Sequence, residues 1–200
     1  AMRYAKLVPV PFTAVTFTDR FWAPRQEINR TRTLPHNINT CEKTGRLRNF
    51  AQAAGLDSSP YTGHYFHDSD VYKVIEGAAY CLATHPDPAL DTRLDVIIDH
   101  IAKAQQPDGY LNTWFILKEP DRRWTDLPVK HELYCAGHLF EAAVAHYEAT
   151  GKRKLLEVAC RFADHIDGLF GPGKRHAVPG HEEIELALIK LWRATGEERY

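Results

Sequence analysis

The 200-residue sequence has no Cys-x-x-Cys pair, no apolar run near the length of a bilayer span, no block of like charge and no low-complexity tract. Each absence removes a class of protein. Without a Cys-x-x-Cys, the scattered Cys41, Cys81, Cys135 and Cys160, all inside helical patterns, read as reduced buried thiols of a cytoplasmic protein rather than as disulfides. Without about 18 consecutive apolar residues there is no membrane-spanning segment. The net charge of −1, with acids and bases interspersed, excludes the basic stripe that nucleic acid or an anionic membrane surface requires. No secretory h-region follows Ala1-Met2, which reads as the remnant of a removed tag. Glycine and proline are not in excess, so the chain suits one ordered domain, or part of one, with a sizeable core.

What is abundant is histidine: eleven residues, several beside aromatics where helices begin. The segment from Lys130 through His131-Glu132-Leu133-Tyr134 to Gly151 reads as one helix that is apolar almost all round, and such a helix is buried on all sides. Its opening is then repeated. Gly180-His181-Glu182 starts a second apolar run that stops at Thr195-Gly196, as the first stops at Thr150-Gly151. Two buried helices that open on His-Glu and close on Thr-Gly, about fifty residues apart, are the mark of a repeated helical hairpin.

The other elements fit around that unit. Residues 7–18, with Pro9, Pro11 and an alternating Val15-Thr16-Phe17-Thr18, predict an extended arm or edge strand. Asp19 caps a helix that Pro35 should kink or break and that ends at Lys43-Thr44-Gly45. Residues 46–67 read as a loop closing on aromatics and histidines. Asp68-Ser69-Asp70 then offers caps for a helix through Leu82, and an amphipathic helix carries Leu90, Leu94, Ile97, Ile98 and Ile101 on one stripe. A connection of about 25 residues from Gln106 holds Tyr110, Trp114, Phe115 and Trp124, too aromatic to be disordered. Another one-sided helix, Leu155 to Leu169, separates the two His-Glu helices. Buried and amphipathic helices therefore alternate, and the fold expected is all-α: part of an (α/α)6 barrel over 19–200 with an extended arm at 1–18. A repeat solenoid would need a regular period, and these loops vary too widely.

In such a toroid the inner helices run parallel, so Asp68-Ser69-Asp70, His131-Glu132 and His181-Glu182 should gather at one rim with the aromatic loops. The positive ends of the helix dipoles favour neutral imidazole there, able to donate to and accept from hydroxyls. Imidazoles amid aromatic walls suit a sugar. The plainer alternatives are helix-start punctuation for the histidines, caps for Asp68 and Asp70, dipole partners for Glu132, Glu182 and Glu183, and a satisfied core pair for His138 and Glu141.

At these residues the chain resembles the bacterial β-L-arabinofuranosidase family of glycoside hydrolases. The matching blocks are Phe66-His67-Asp68-Ser69-Asp70-Val71-Tyr72-Lys73, Ala78-Ala79-Tyr80, His85-Pro86-Asp87-Pro88, Ala104 to Leu111, His131 to Tyr134, Gly137-His138 with Glu141 to Ala145, and Gly180-His181 with Glu185 to Leu188. The resemblance implies a retaining mechanism in which a zinc-bound cysteine thiolate attacks the anomeric carbon and a glutamate acts as general acid and base. No block here matches those groups, so zinc and the catalytic residues are expected beyond Tyr200 and none in this chain. The sugar-holding residues are expected here: His131, His181, Asn37, Phe66 and Asp68. Partners expected are a carbohydrate substrate and, in assembly, a homodimer. Two rival readings stay open: a sugar epimerase using the histidine pair as acid and base, and a non-catalytic carbohydrate-binding helical module.

Overall fold

The computed structural model describes residues 7–200; the first six residues of the expected arm, Ala1-Met2 among them, lie outside the described residues. From Leu7 to Thr18 the chain forms no strand, so the edge-strand alternative is not realised. A single 3-10 turn, Phe12–Ala14, interrupts an otherwise extended run, and the Phe12 ring meets Tyr80 edge-on at 4.9 Å. Asp19 Oδ1 accepts from the backbone N–H of Phe21 and Trp22 at 2.7 and 2.6 Å and starts α1 (Trp22–Ile28).

Pro35 does not break the helix. A wide π turn, Asn29–Thr33, carries the chain into α2 (Leu34–Lys43), where Pro35 occupies the first turn. The distortion falls one turn ahead of the proline, where its ring would otherwise crowd a carbonyl and its missing N–H would leave one unpaired.

The expected loop over 46–67 is corrected at its start, which is helical: α3 (Arg46–Ala53) follows directly on Gly45, whose φ of 82° turns the chain. Its buried face holds Phe50 but also Asn49 and Gln52, which hid the apolar stripe. Those amides hold the following loop: Asn49 Nδ2 donates to the Thr62 carbonyl and Gln52 Nε2 to Ser59 Oγ, both at 2.9 Å.

The hairpins follow in order. α4 (Asp68–Thr84) is succeeded by α5 (Pro88–Ala104), which Asp87 caps through the N–H groups of Ala89 and Leu90. The long connection contains two short helices, α6 (Thr113–Leu117) and α7 (Leu127–Lys130), capped by Asn112 and Asp126. Then come α8 (Glu132–Thr150), α9 (Lys154–Leu169) and α10 (Glu183–Thr195). α8 packs against α4 on one side and α10 on the other, making the inner layer, while α5 and α9 lie behind. α2 runs antiparallel to α4: Asn29 meets Cys81 near the end of α4, and Arg46, just beyond α2, pairs with Asp70 at its start. Arg93 of α5 also reaches Asn39 and Glu42 of α2, so α1–α2 belongs with the outer layer.

The core lies between the layers, where Ile75, Leu94, Ile101, Leu139, Phe140, Leu155 and Phe162 are almost wholly buried. Each such side chain contributes about 1.5–3 kcal/mol of burial. α8 is buried nearly all round, as its sequence requires. Gly137 lets α10 close on it: a Cβ there would stand 2.7 Å from Glu183 Cγ. Among the described residues there is no strand, only one isolated bridge between Phe170 and Arg175, and the fold is all-α, a section of an α/α barrel.

Candidate functional site

His131 is the turning point between α7 and α8. Its φ of 58° and ψ of 25° are left-handed, one of two such non-glycine residues among those described, the other being Trp124 at φ 63°. A left-handed non-glycine residue costs of order 1–3 kcal/mol and needs surrounding structure to hold it. Glu132 supplies that structure. Its carboxylate, fully buried, accepts from Trp124 N–H at 2.8 Å and from the Tyr110 hydroxyl at 2.5 Å. Burial pushes the Glu132 carboxyl up to about 7, against the lowering by those two hydrogen bonds. Glu132 is thus a buttress beneath the rim rather than a dipole partner at the surface, and it ties the Gln-Pro-Asp-Gly-Tyr turn to the His-Glu start.

Gly180 brings the second histidine in. A Cβ at this position would overlap the carbonyl oxygen of Pro128 in α7, so only glycine lets the two loops touch. The result is that His181 Nε2 lies 3.2 Å from His131 Nε2, with ring centroids 4.8 Å apart. The two inner-helix starts therefore open on one rim. A hydrogen bond across that distance requires one Nε2 to carry a proton and the other a lone pair.

Aromatic rings enclose the pair. Around His131 stand Tyr65, Phe66 and Tyr134, with centroids at 5.7, 5.8 and 5.5 Å, and Tyr134 also lies 5.0 Å from His181. Phe66 stacks on His64 in turn. Cations border the rings: Lys73 Nζ donates to the Tyr134 hydroxyl at 2.6 Å, and Lys130 Nζ lies 5.0 Å over Tyr65. Tyr65, Tyr134, Lys73 and Lys130 were not singled out from sequence. Tyr134 at three residues from His131 and Tyr65 beside Phe66 are the spacings that could have found them.

Of the five predicted site residues, His131, His181 and Phe66 come together. Asp68 stands below them and is buried; its two oxygens accept from Thr113 N–H at 2.7 Å and Thr113 Oγ1 at 2.5 Å. It caps α6 from another helix rather than its own α4, and burial raises its carboxyl to about 6 despite the Thr113 bonds. Asn37 is exposed on α2, outside the ring contacts around His131.

Deeper in the inner face, His138 Nδ1 lies 3.2 Å from Glu183 Oε1 and 3.8 Å from Glu141 Oε2, and Lys190 pairs with Glu141. Burial and the neighbouring Glu141 raise Glu183 to about 8. Burial works against the charge of Glu141 too, but hydrogen bonds from Glu183 and Lys190 outweigh it and hold that carboxyl low. The carboxylates thus hold one proton between them at neutral pH. His138, Glu141 and Glu183 have ligand atoms close enough to share a cation, but Lys190 and the shared proton already meet most of that charge.

The cysteines do not fit a zinc-thiolate centre. Cys41, Cys81, Cys135 and Cys160 are all free thiols, and no group of metal-capable residues among those described includes one. Burial raises all four, which disfavours the thiolate that zinc binds.

The architecture and its rim define a class: an α/α-barrel protein with paired imidazoles set in an aromatic collar at the N-terminal ends of its inner helices. Comparison with known proteins sharpens this. Residues 14–200 match the family profile described as β-L-arabinofuranosidase, GH127 catalytic domain, and the chain belongs to that family. It is 49% identical over 164 residues to a non-reducing end β-L-arabinofuranosidase of Bifidobacterium longum subsp. longum, an alignment covering 79% of this chain and 25% of that protein. A solved GH127 β-L-arabinofuranosidase from Geobacillus stearothermophilus T6 superposes with a TM-score of 0.91 at 44% identity, over 93% of this chain and 31% of that one. A second solved structure, a GH127 β-arabinofuranosidase, gives 0.88 at 44% identity over 96% and 32%. The chain therefore spans a quarter to a third of the length of these relatives.

Proposed function

We propose that this chain forms the sugar-holding section of a retaining glycoside hydrolase that releases β-L-arabinofuranose or a related furanose from plant-type glycans or glycoprotein sugars. The observation that carries the reading is the contacting His131–His181 pair inside a collar of Phe66, Tyr65 and Tyr134. A sugar hydroxyl that replaces the His–His hydrogen bond can accept from the protonated Nε2 and donate to the other, while the rings cover C–H faces. Asp68 takes part indirectly, by fixing α6 beneath the aromatic loop. Asn37, exposed on α2, is the further amide donor on this reading.

The zinc-thiolate nucleophile and acid/base glutamate that the resemblance implies are not supplied by this chain's cysteines. On this reading they come from residues beyond Tyr200. The same reading makes the protein cytoplasmic, in keeping with four free thiols, and admits a homodimer; no helix of the described residues is long and apolar enough to cross a membrane. An epimerase needs its acid and base on opposite faces of a sugar, and rings 4.8 Å apart leave no room for one between them.

The test is hydrolysis of an aryl β-L-arabinofuranoside by a polypeptide of the relatives' full length, with the anomeric configuration followed by NMR and zinc by elemental analysis. Retention with stoichiometric zinc is expected, and the 200-residue chain alone should give no turnover. Inversion, or epimerised sugar as the product, overturns the reading.

A further inference from the structure

The back of the inner layer carries a second group of ligand-type side chains, unrelated to the rim. Asp91 and Asp95 stand one turn apart on α5, and His146 faces them from the last turns of α8. One ligand atom from each lies within 4.8 Å of the others. His146 is fifteen residues along the chain from His131, about 22 Å away at 1.5 Å per residue.

Two observations make this more than a surface acidic pair. His146 is only 1% exposed, and neither ring nitrogen has a hydrogen-bond partner. A buried imidazole left without partners is costly and calls for something to bond. The charge is also incomplete. Lys152 Nζ spends its donors on Asp91 Oδ1 at 2.7 Å and on both oxygens of Asp95 at 2.9 and 2.7 Å, which leaves two carboxylates facing one positive charge.

We propose that Asp91, Asp95 and His146 form a binding site for a borderline divalent cation such as Zn²⁺ or Co²⁺, with the Lys152 ammonium as its resident competitor. Two carboxylates and one imidazole are a donor set for these ions rather than for Mg²⁺ or Ca²⁺, which take oxygen ligands. A divalent ion would neutralise both carboxylates and give the imidazole its missing partner. The Asp91 and Asp95 side chains are 35% and 50% exposed and can close the small remaining gap to ligand distances of about 2.0–2.2 Å. A surface depression lined by Asp91, Thr150 and Lys152 adjoins the group on the Asp91 side. No cysteine takes part, so the site is separate from any zinc-thiolate chemistry.

The experiment is a Co²⁺ titration of the metal-stripped chain at neutral pH, read by visible d–d absorption and by calorimetry, on wild type, His146→Gln, Asp95→Asn and Lys152→Met. Wild type should take up one equivalent at this site. Affinity should fall about tenfold or more in His146→Gln and Asp95→Asn, and rise about tenfold in Lys152→Met, where the internal competitor is gone. Asp95 and Lys152 are partly exposed, so these two variants decide the matter even if His146→Gln does not fold. Wild-type affinity in Asp95→Asn, no gain in Lys152→Met, or no Co²⁺ uptake by either wild type or Lys152→Met would overturn the proposal.

Discussion

Replacing Glu132 separates a structural carboxylate from a mere helix-start charge. In Glu132→Ala the Tyr110 hydroxyl and the Trp124 N–H lose their acceptor, and both belong to buried residues. Each stranded donor costs about 1–3 kcal/mol, so the pair costs about 2–6 kcal/mol before any cavity is counted. Glu132→Gln keeps the volume, and its amide oxygen still accepts from Trp124 while the tyrosine hydroxyl can turn to accept from the amide NH₂. Its cost should be near 1 kcal/mol, one exchanged hydrogen bond. A second signature lies in pH. The carboxyl of Glu132 is raised by burial from 4.5 to about 7, so between those values the folded chain binds more protons than the unfolded one. Stability is therefore greatest below pH 4.5 as far as this group is concerned, and falls as pH rises through that window. Urea denaturation of the three proteins at a series of pH values reads both effects. Equal losses for the two variants, or a Gln variant with the wild-type slope between pH 5 and 7, would refute the reasoning.

Three further outcomes are expected. Glu183→Gln should abolish a protonated-carboxyl band in the infrared spectrum at pH 7, because Glu183 titrates near 8 beside an ionised Glu141, and it should flatten the loss of stability between pH 4.5 and 8. Gly137→Ala should lose about 1–3 kcal/mol by forcing α8 and α10 apart, whereas Gly77→Ala, whose Cβ would meet nothing within 4 Å, should gain up to about 1 kcal/mol; paired thermal melts compare them. Asp68→Asn keeps one acceptor for Thr113 and should cost about 1 kcal/mol, while Asp68→Ala should cost about 2–4 kcal/mol and loosen the loop carrying Tyr65 and Phe66, visible as faster amide exchange there.

Much of the architecture is legible because it is written in period and punctuation. The all-round apolar run of α8 and the one-sided stripes of α5 and α9 fix the layers, and Asp19 marks a helix start. α3 escaped because its buried face includes Asn49 and Gln52, whose partners lie 7 to 13 residues on and are invisible to a local pattern. Within the site, the repeated His-Glu opening foretold that His131 and His181 share a rim. It could not foretell that Glu132 points inward, because burial there depends on Tyr110 and Trp124 arriving from a long connection. Asp68 was misread as a cap for its own helix for the same reason: Thr113, the group it caps, is 45 residues away.

The central claim is that the His131–His181 pair holds the sugar, and the most direct measurement is kcat/KM on an aryl β-L-arabinofuranoside, with Tm beside it, for His131→Ala and His181→Ala in a polypeptide of the relatives' full length. Losing a hydrogen bond that strengthens in the transition state costs about a hundredfold in rate. The account predicts a fall of about that size in each variant, with zinc retained and Tm changed by no more than a few degrees. Near-wild-type kcat/KM in both, or a large fall in Tm with the turnover of the remaining folded protein intact, would contradict it.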